Sequence, residues 1–159
     1  SNWARRDPTW DHRCQHNLIY WRNEAWLGLG AGAHSHALGQ RWHEVEDIGG
    51  YVRAWRGAKV APEVADAGPL YASPTVQEVE PVSREQAMAE TMFLGLRLVE
   101  EGVPWARFRE RFGVPMEAVY GPVLAELEAA GLVECDAERV RLTARGRLLA
   151  NQVFVRFLP

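Results

Sequence analysis

The sequence predicts an α+β fold whose C-terminal part, residues 83–159, is a mostly helical, winged-helix-like domain. The first observation is the order of segments in this part, which is helix, helix, β-hairpin, helix. The second is that Gly113 and Gly131 each follow a helical stretch, at the position where helices commonly end. The third is the alternation of apolar and polar residues at 132–135 and 139–142, which predicts the two strands of the hairpin.

The helices of this part are predicted from capping residues and apolar stripes. Ser83 and Gln86 form a capping box at the start of the first helix. Thr143 is placed to cap the last helix. The predicted helices span residues 84–101, 104–112, 115–130 and 144–158.

The first half of the chain has weaker signals. Ser1–Ala4 reads as the end of a strand, and the apolar run 26–29 predicts a buried strand followed by a glycine-rich turn at 30–33. Four prolines between residues 59 and 82 predict a linker or crossover. Two further helices are predicted, at residues 13–22 and 45–56.

Composition excludes some partners. The formal net charge is -3 and the pI about 6.0, so the chain has no overall positive field to attract nucleic acid. The predicted helix 115–130 would be the DNA-reading helix of a winged-helix protein, but it contains three glutamates and no Lys or Arg. No apolar run approaches the length of a membrane span, and no signal peptide is visible. We therefore expect a cytoplasmic protein without nucleic acid as a partner.

The motif His16-Asn17-Leu18-Ile19-Tyr20-Trp21 is the first candidate site. On a helix, His16 and Tyr20 share one face, as do Asn17 and Trp21. An imidazole and a phenol beside an indole could bind a metal and flank a planar macrocycle, since both His and Tyr serve as heme ligands. The alternative is structural: His16 and Asn17 bond to nearby backbone while the two aromatic residues pack.

The glycine-rich turn is the second candidate. Gly28, Gly30 and Ala33 formally fit a degenerate dinucleotide fingerprint, but the polar stretch 35–46 offers no second apolar strand, so we reject that interpretation. The small residues could let backbone N–H groups approach a ligand, or could simply pack a tight turn against a neighbour. The other histidines, at positions 12, 34, 36 and 43, have no recognised metal-binding spacing.

Several motifs together resemble one known family. The motifs are Ser1-Asn2-Trp3-Ala4, Cys14-x-His16-Asn17-x-x-Tyr20-Trp21, Leu27–Ser35 with Arg41, Glu90-x-x-x-x-Gly95-Leu96-Arg97, Gly102-Val103, Gly131-Leu132-Val133 and Leu142-Thr143-x-x-Gly146. With them the chain resembles the radical S-adenosylmethionine proteins that include heme chaperones and oxygen-independent coproporphyrinogen III oxidases, and H-N-x-x-Y-W favours the heme-chaperone branch.

The resemblance implies a domain organisation. Residues 1–60 would be the C-terminal end of a radical S-adenosylmethionine (β/α) barrel, residues 61–82 a Pro-rich linker, and residues 83–159 the winged-helix-like domain. In the family, a C-x-x-x-C-x-x-C motif of the barrel binds a [4Fe-4S] cluster and S-adenosylmethionine. This sequence lacks that motif, and Cys14 and Cys135 are too few to hold a cluster. The chain is therefore expected to be the C-terminal part of a longer protein and inactive as a radical enzyme alone.

The resemblance also implies site residues and partners. The H-N-x-x-Y-W element would bind heme, with His16 as the metal ligand, and the glycine-rich turn would lie near S-adenosylmethionine or substrate. The leading hypothesis is a heme chaperone that delivers heme to acceptor proteins; a homodimer of the full-length protein is left open. The alternatives are part of a coproporphyrinogen III oxidase and a freestanding winged-helix interaction module. The implied cofactor-binding residues are His16, Asn17, Tyr20, Trp21, Gly30, Gly32 and Ala33.

Overall fold

The structure is a computed structural model that describes residues 4–57 and 73–158. Its elements are α1 (Gln15–Trp21), β1 (His34–Ala37), β2 (Gln40–Glu44), α2 (Ile48–Gly57), β3 (Val76–Pro81), α3 (Arg84–Gly95), β4 (Val103–Pro104), α4 (Trp105–Phe112), α5 (Met116–Ala129), β5 (Val133–Cys135), β6 (Arg139–Leu142), α6 (Ala144–Leu148), α7 (Ala150–Phe154) and a 3-10 turn (Val155–Phe157). This content confirms the predicted α+β class. None of the helices in the described residues has the length and apolar character needed to cross a bilayer.

The chain divides into two compact units. The first combines Ser1–Asn23 with Arg84–Pro159, and the second is Glu24–Ser83. Helix α1 therefore belongs to the same unit as the C-terminal segment. The predicted domains 1–60, 61–82 and 83–159 concern the organisation of a longer protein and stay a prediction.

The first unit packs its helices on a small antiparallel sheet with strand order β4-β6-β5. Val103 pairs with Val140, and Val133 pairs with Leu142, which places these side chains in the core. The apolar residues that alternate in the hairpin are thus buried, as predicted. The buried core consists of Met88, Met92, Leu96, Val103, Phe108, Met116, Leu124, Leu127, Leu132, Val133, Val140, Leu142, Val153, Phe154 and Phe157.

The helix ends of this unit follow the predicted signals in most places. Gly113 and Gly131 adopt the left-handed conformation with φ of 68° and 67°, directly after α4 and α5. The Thr143 hydroxyl accepts a hydrogen bond from the Gly146 N–H at 2.9 Å and caps α6. The predicted last helix is broken at Leu149, whose φ of -111° and ψ of 23° interrupt it. The winged-helix-like arrangement itself stays a prediction.

Helix α3 is shorter than predicted. It ends at Gly95 and not near residue 101, and the chain continues in tight turns. The N–H of Leu98 bonds to the Gly95 carbonyl at 2.9 Å, which is the three-residue spacing of a tightened turn. Gly95 also lies so close to the Val103 side chain that a Cβ atom there would be 2.7 Å from it.

The second unit contains a three-stranded antiparallel sheet with strand order β1-β2-β3, together with α2. Strands β1 and β2 are joined by Leu38 and Gly39, both with positive φ, which matches a two-residue hairpin turn. The buried side chains of β1 and β2 are mostly polar or small, with Trp42 as the large apolar exception at 3% exposed. The predicted helix near residues 45–56 is confirmed as α2.

Four predictions for this half of the chain differ from the structure or lie partly outside the described residues. The predicted buried strand at 26–29 is wrong: Trp26 forms one isolated bridge with His36, while Leu27 and Leu29 are 53% and 91% exposed. The polar stretch after it, thought to lack strands, forms β1 and β2. The predicted linker is corrected at its end by β3, and its earlier part up to residue 72 lies outside the described residues, as do the first three residues of the predicted N-terminal strand.

Candidate functional site

Helix α1 carries the H-N-x-x-Y-W motif and is held by its surroundings. It has seven residues, starts after the extended Cys14 and ends at Trp21, with Arg22 as its C-cap. Isolated helices of this length do not persist in water, so its order depends on tertiary contacts. One contact is Leu18, which is 5% exposed and lies on the side of α1 that packs within the unit. The sequence prediction of a helix over residues 13–22 is confirmed.

His16 and Tyr20 form a pair on the outer face of α1. The Tyr20 hydroxyl lies 3.0 Å from the His16 Nε2, and the two rings meet edge to face with centroids 4.9 Å apart. When Nδ1 carries the ring proton, the hydroxyl donates to Nε2. The His16 side chain is exposed, so its imidazole is accessible to a metal ion from solvent. This arrangement offers a metal-binding nitrogen with a phenol at hydrogen-bonding distance.

Asn17 and Trp21 follow on the neighbouring face, and both are half-buried. Asn17 has no hydrogen-bond partner among residues 4–57 and 73–158. The guanidinium of Arg97 lies over the Trp21 ring, with its carbon 5.7 Å from the ring centroid, and over the Phe154 ring at 4.6 Å. A cation–π contact thus joins the indole to Arg97 while part of the ring stays exposed.

Glu101 binds the C-terminal end of α1 to the rest of the unit. Its carboxylate accepts hydrogen bonds from Arg22 at 2.9 and 2.8 Å and from Arg107 at 2.9 Å. Arg13 lies 3.8 Å away. Burial alone would raise the pKa of Glu101, but the hydrogen bonds and charges of Arg22 and Arg107 outweigh it and hold the pKa below the ordinary value. Residues on both sides of the helix are therefore tied to one carboxylate.

Asn23 is a structural residue that the sequence interpretation missed. It is 1% exposed and adopts a positive φ of 52°, one residue beyond the C-cap of α1. Its amide donates to the Thr91 hydroxyl at 3.3 Å and to the Ala87 carbonyl at 3.4 Å, and its own carbonyl accepts from Arg111. The available signal was its position, because Asn is common in the left-handed conformation just after a helix.

The glycine-rich turn belongs to the second unit and uses its backbone groups internally. The Gly32 N–H donates to the Val45 carbonyl at 2.9 Å, and the Ala33 N–H donates to the Gly30 carbonyl at 3.2 Å. Gly30 and Gly32 have φ of 108° and 69°, which only glycine adopts readily. At Gly28 a Cβ atom would collide with the carbonyl of His34. These contacts account for the small residues through local geometry.

Three of the other histidines lie on the sheet of the second unit, while His12 belongs to the first unit, 3.5 Å from Asp7. His34 and His43 pair across β1 and β2 with ring centroids 5.3 Å apart, and His36 packs edge to face on Trp26 at 4.9 Å. Within the described ranges, no group of three or more His, Cys, Asp or Glu residues could hold a metal ion. The structure thus brings together His16, Asn17, Tyr20 and Trp21 on α1, and holds Gly30, Gly32 and Ala33 in one turn of the other unit.

Comparison with known proteins gives consistent matches. The sequence model of the HemN C-terminal domain matches residues 82–149. Proteins named heme chaperone HemW are 35% identical over 91% of this chain in Bacillus subtilis, 32% identical over 91% in Lactococcus lactis and 31% identical over 96% in Mycobacterium tuberculosis. The chain spans 34%, 34% and 32% of the length of these three relatives.

A solved structure gives the same result at the level of fold. It is described as coproporphyrinogen III oxidase (HemN) from Escherichia coli, a radical SAM enzyme, and it superposes with a TM-score of 0.52 and 16% identity. The match covers 84% of this chain and 28% of that one. This likeness agrees with the sequence matches at the level of the fold. The sequence matches show that the chain belongs to the HemW and HemN family and corresponds to its C-terminal part.

Proposed function

We propose that this chain is the C-terminal part of a cytoplasmic heme chaperone that binds heme and passes it to acceptor proteins. The relatives named heme chaperone support this choice, because they are 31–35% identical over most of the chain. The oxidase structure, at 16% identity, supports the fold alone. The motif H-N-x-x-Y-W adds a chemical reason, since it supplies the residue types that bind an iron porphyrin.

The observation that carries the proposal is the exposed imidazole of His16. Its Nε2 lies 3.0 Å from the Tyr20 hydroxyl, so the side chain is already oriented before any ligand arrives. Imidazole nitrogen is a common axial ligand of heme iron, and a fixed indole such as Trp21 offers a flat apolar surface to a macrocycle. The residues on α1 therefore fit heme as cargo, with His16 as the metal ligand and Asn17, Tyr20 and Trp21 around it.

The remaining expectations concern the longer protein. There, S-adenosylmethionine and a [4Fe-4S] cluster would be bound mainly by residues outside this sequence, which contains two cysteines and no C-x-x-x-C-x-x-C motif. We propose that the turn formed by Gly30, Gly32 and Ala33 lies near that ligand. The N–H groups of Gly32 and Ala33 already donate to carbonyls of this unit, so they would not bind the ligand. The small residues would instead let the backbone of the turn come close to it.

The test is a heme titration of the complete gene product that carries this chain. We expect His16→Ala to weaken heme binding and shift the Soret band, since the iron loses a nitrogen ligand. His12→Ala is the matched control, because His12 is another accessible histidine of the same unit, 3.5 Å from Asp7. Equal spectra and affinities for wild type and His16→Ala would remove His16 from the site.

The second candidate is part of a coproporphyrinogen III oxidase, which the fold likeness to HemN favours. In the complete protein this activity would oxidatively decarboxylate propionate groups of the porphyrinogen to vinyl groups with release of CO2. A radical derived from S-adenosylmethionine would take the hydrogen atom, and an electron acceptor would take the electron. The assay is turnover of coproporphyrinogen III to protoporphyrinogen IX by the reconstituted complete gene product. Measurable turnover would replace the chaperone proposal by the oxidase. A freestanding winged-helix module instead predicts binding of a partner protein or DNA without heme.

A further inference from the structure

Arg97 is an exposed cation held in place by aromatic rings. It lies in the turn after α3, with its guanidinium carbon 5.7 Å from the Trp21 centroid and 4.6 Å from the Phe154 centroid. Phe154 is 8% exposed and Trp21 is half-buried, so both rings are fixed by packing. In the part of the chain that the structure describes, Arg97 makes no ion pair with a carboxylate.

Two other arginines of this unit differ from Arg97, because their guanidinium groups donate hydrogen bonds to a carboxylate. Arg22 and Arg107 both donate to Glu101, at 2.8 to 2.9 Å. Arg97 keeps its place through its flat face alone, which leaves its N–H groups for another acceptor. A guanidinium has five such donors in a planar fork that matches a carboxylate, and a fork that is already oriented loses little entropy on binding.

The position of Arg97 relative to the motif determines what that acceptor would be. Arg97 contacts Trp21, which follows His16 by five residues on the same helix, about 7.5 Å along its axis and about 140° around it. An iron porphyrin carries its metal at the centre and its carboxylate side chains at the rim. Arg97 lies beside the C-terminal end of α1, displaced from the His16 imidazole. It would therefore meet the carboxylates at the rim of the porphyrin and not the metal at its centre.

We propose that Arg97 binds a propionate carboxylate of the porphyrin whose iron is bound by His16, and so selects porphyrins that carry free carboxylates. Trp21 has two roles in this arrangement: its ring positions the guanidinium, and its exposed part borders the macrocycle. The inference rests on the proposed heme binding and adds the group that recognises the ligand's periphery. It assigns a function to a residue outside the H-N-x-x-Y-W motif.

The experiment compares two ligands on the complete gene product. The ligands are hemin and hemin dimethyl ester, whose carboxylates are blocked, titrated in the same detergent buffer and followed by the Soret band. We expect Arg97→Gln to weaken hemin binding about tenfold, the loss of one charge-assisted hydrogen bond at an exposed site, and to leave the affinity for the ester unchanged. Arg97→Lys should lose less, because it keeps the charge but not the fork.

Controls separate this proposal from folding and from heme binding itself. Arg109→Gln removes an exposed charge from α4 of the same unit and should change neither affinity. If Arg97→Gln lowers the affinities for acid and ester equally, Arg97 only supports Trp21, and the propionate contact is disproved. If wild type binds both ligands and Arg97→Gln changes neither, the inference fails while heme binding stands. If wild type binds neither ligand, the proposed function itself fails.

Discussion

Substitution of Glu101 by Gln tests whether α1 is held in place by a charged cluster. In the structure this carboxylate accepts three hydrogen bonds from Arg22 and Arg107, and Arg13 is a third nearby cation. Glutamine is almost the same size but is neutral and has one acceptor oxygen in place of two. The substitution therefore removes the charge that these arginines share without leaving a cavity. We expect α1 to loosen, since Arg22 is its C-cap residue.

The magnitude follows from how exposed the cluster is. The Glu101 side chain is 16% exposed, and Arg22 and Arg107 are 23% and 37% exposed. Breaking a fully buried ion pair costs about 3–5 kcal/mol, while exposed pairs contribute about 0–1 kcal/mol. Because this cluster lies between the two limits, we expect the free energy of unfolding to fall by about 2 kcal/mol for Glu101→Gln.

The effect of Glu101→Gln should depend on pH in a defined direction. Burial opposes ionisation of Glu101, but hydrogen bonds and charges from the arginines dominate and lower its pKa in the folded state below the ordinary 4.5. The folded state therefore binds this proton less tightly than the unfolded state. The stabilisation is complete above the unfolded pKa and is lost as the pH falls through the lower folded pKa. Wild type and variant should thus differ at pH 7 and converge in acid.

The assay is urea unfolding at pH 7 and at pH 3, together with hydrogen exchange of the α1 amides. Glu100→Gln is the matched control, because Glu100 is 64% exposed and its partner Arg6 is 88% exposed. That neighbouring substitution should cost less than about 0.5 kcal/mol. Equal losses for the two variants at pH 7, or unchanged exchange of α1 in Glu101→Gln, would refute the argument.

Three further predictions follow from local geometry. Tyr20→Phe should weaken heme binding about two- to threefold in a Soret titration, because the His16 ring loses the hydrogen bond that orients it; tighter binding would mean that this hydrogen bond competes with the metal. Gly146→Ala should lower the unfolding free energy by about 1–3 kcal/mol, since the new methyl collides with the Leu132 carbonyl, and an unchanged midpoint would contradict this. Cys135 should be alkylated slowly at pH 8, because burial and, after it, the nearby charge of Glu128 raise its pKa to about 11, which leaves about one thiol in a thousand ionised. If mass spectrometry shows Cys135 labelled as fast as the exposed Cys14, this prediction is wrong.

The C-terminal elements were predictable because local signals there agree with the tertiary fold. Gly113 and Gly131 end helices at positions that require positive φ, and Thr143 supplies a cap that the structure confirms. The hairpin strands alternate in burial, so their pattern reports one buried face directly. The break at Leu149 was not visible, since nothing in the side chain of leucine opposes a helix.

The second unit was harder to predict because its interior is not apolar. Strand β1 buries Ser35, His36 and Ala37, and strand β2 buries Glu44, so a search for apolar alternation finds no strand there. Glu44 is tolerated because it accepts a hydrogen bond from the Ser73 hydroxyl at 3.3 Å, a contact 29 residues away in sequence. The prediction of a buried strand at residues 26–29 is wrong because an apolar run does not by itself show whether its side chains are buried.

The residues of the candidate site could be proposed from the sequence, but the residues that contact its helix could not. H-N-x-x-Y-W predicts a helix face, and the structure confirms the His16–Tyr20 spacing. The residues that hold this helix, Glu101 and Arg97, lie in the C-terminal segment, roughly 80 positions away in the chain. Contacts at such separation leave no periodicity in the sequence. The positive φ of Asn23 is the one support that a local rule could have found.

A seven-residue helix is too short to be stable by itself, so any ligand bound on its outer face must draw on the free energy that orders the helix. That free energy comes from the C-terminal domain, through Leu18 on the packed side of the helix and Glu101 at its C-cap. The proposed heme binding would therefore be coupled to the stability of this domain: a substitution that unpacks the domain should lower affinity even where it touches no ligand atom. The coupling is reciprocal, so heme should protect the amides of α1 and of the turn containing Arg97 from exchange together. Protection confined to α1 would instead mean that the helix binds its ligand without the domain.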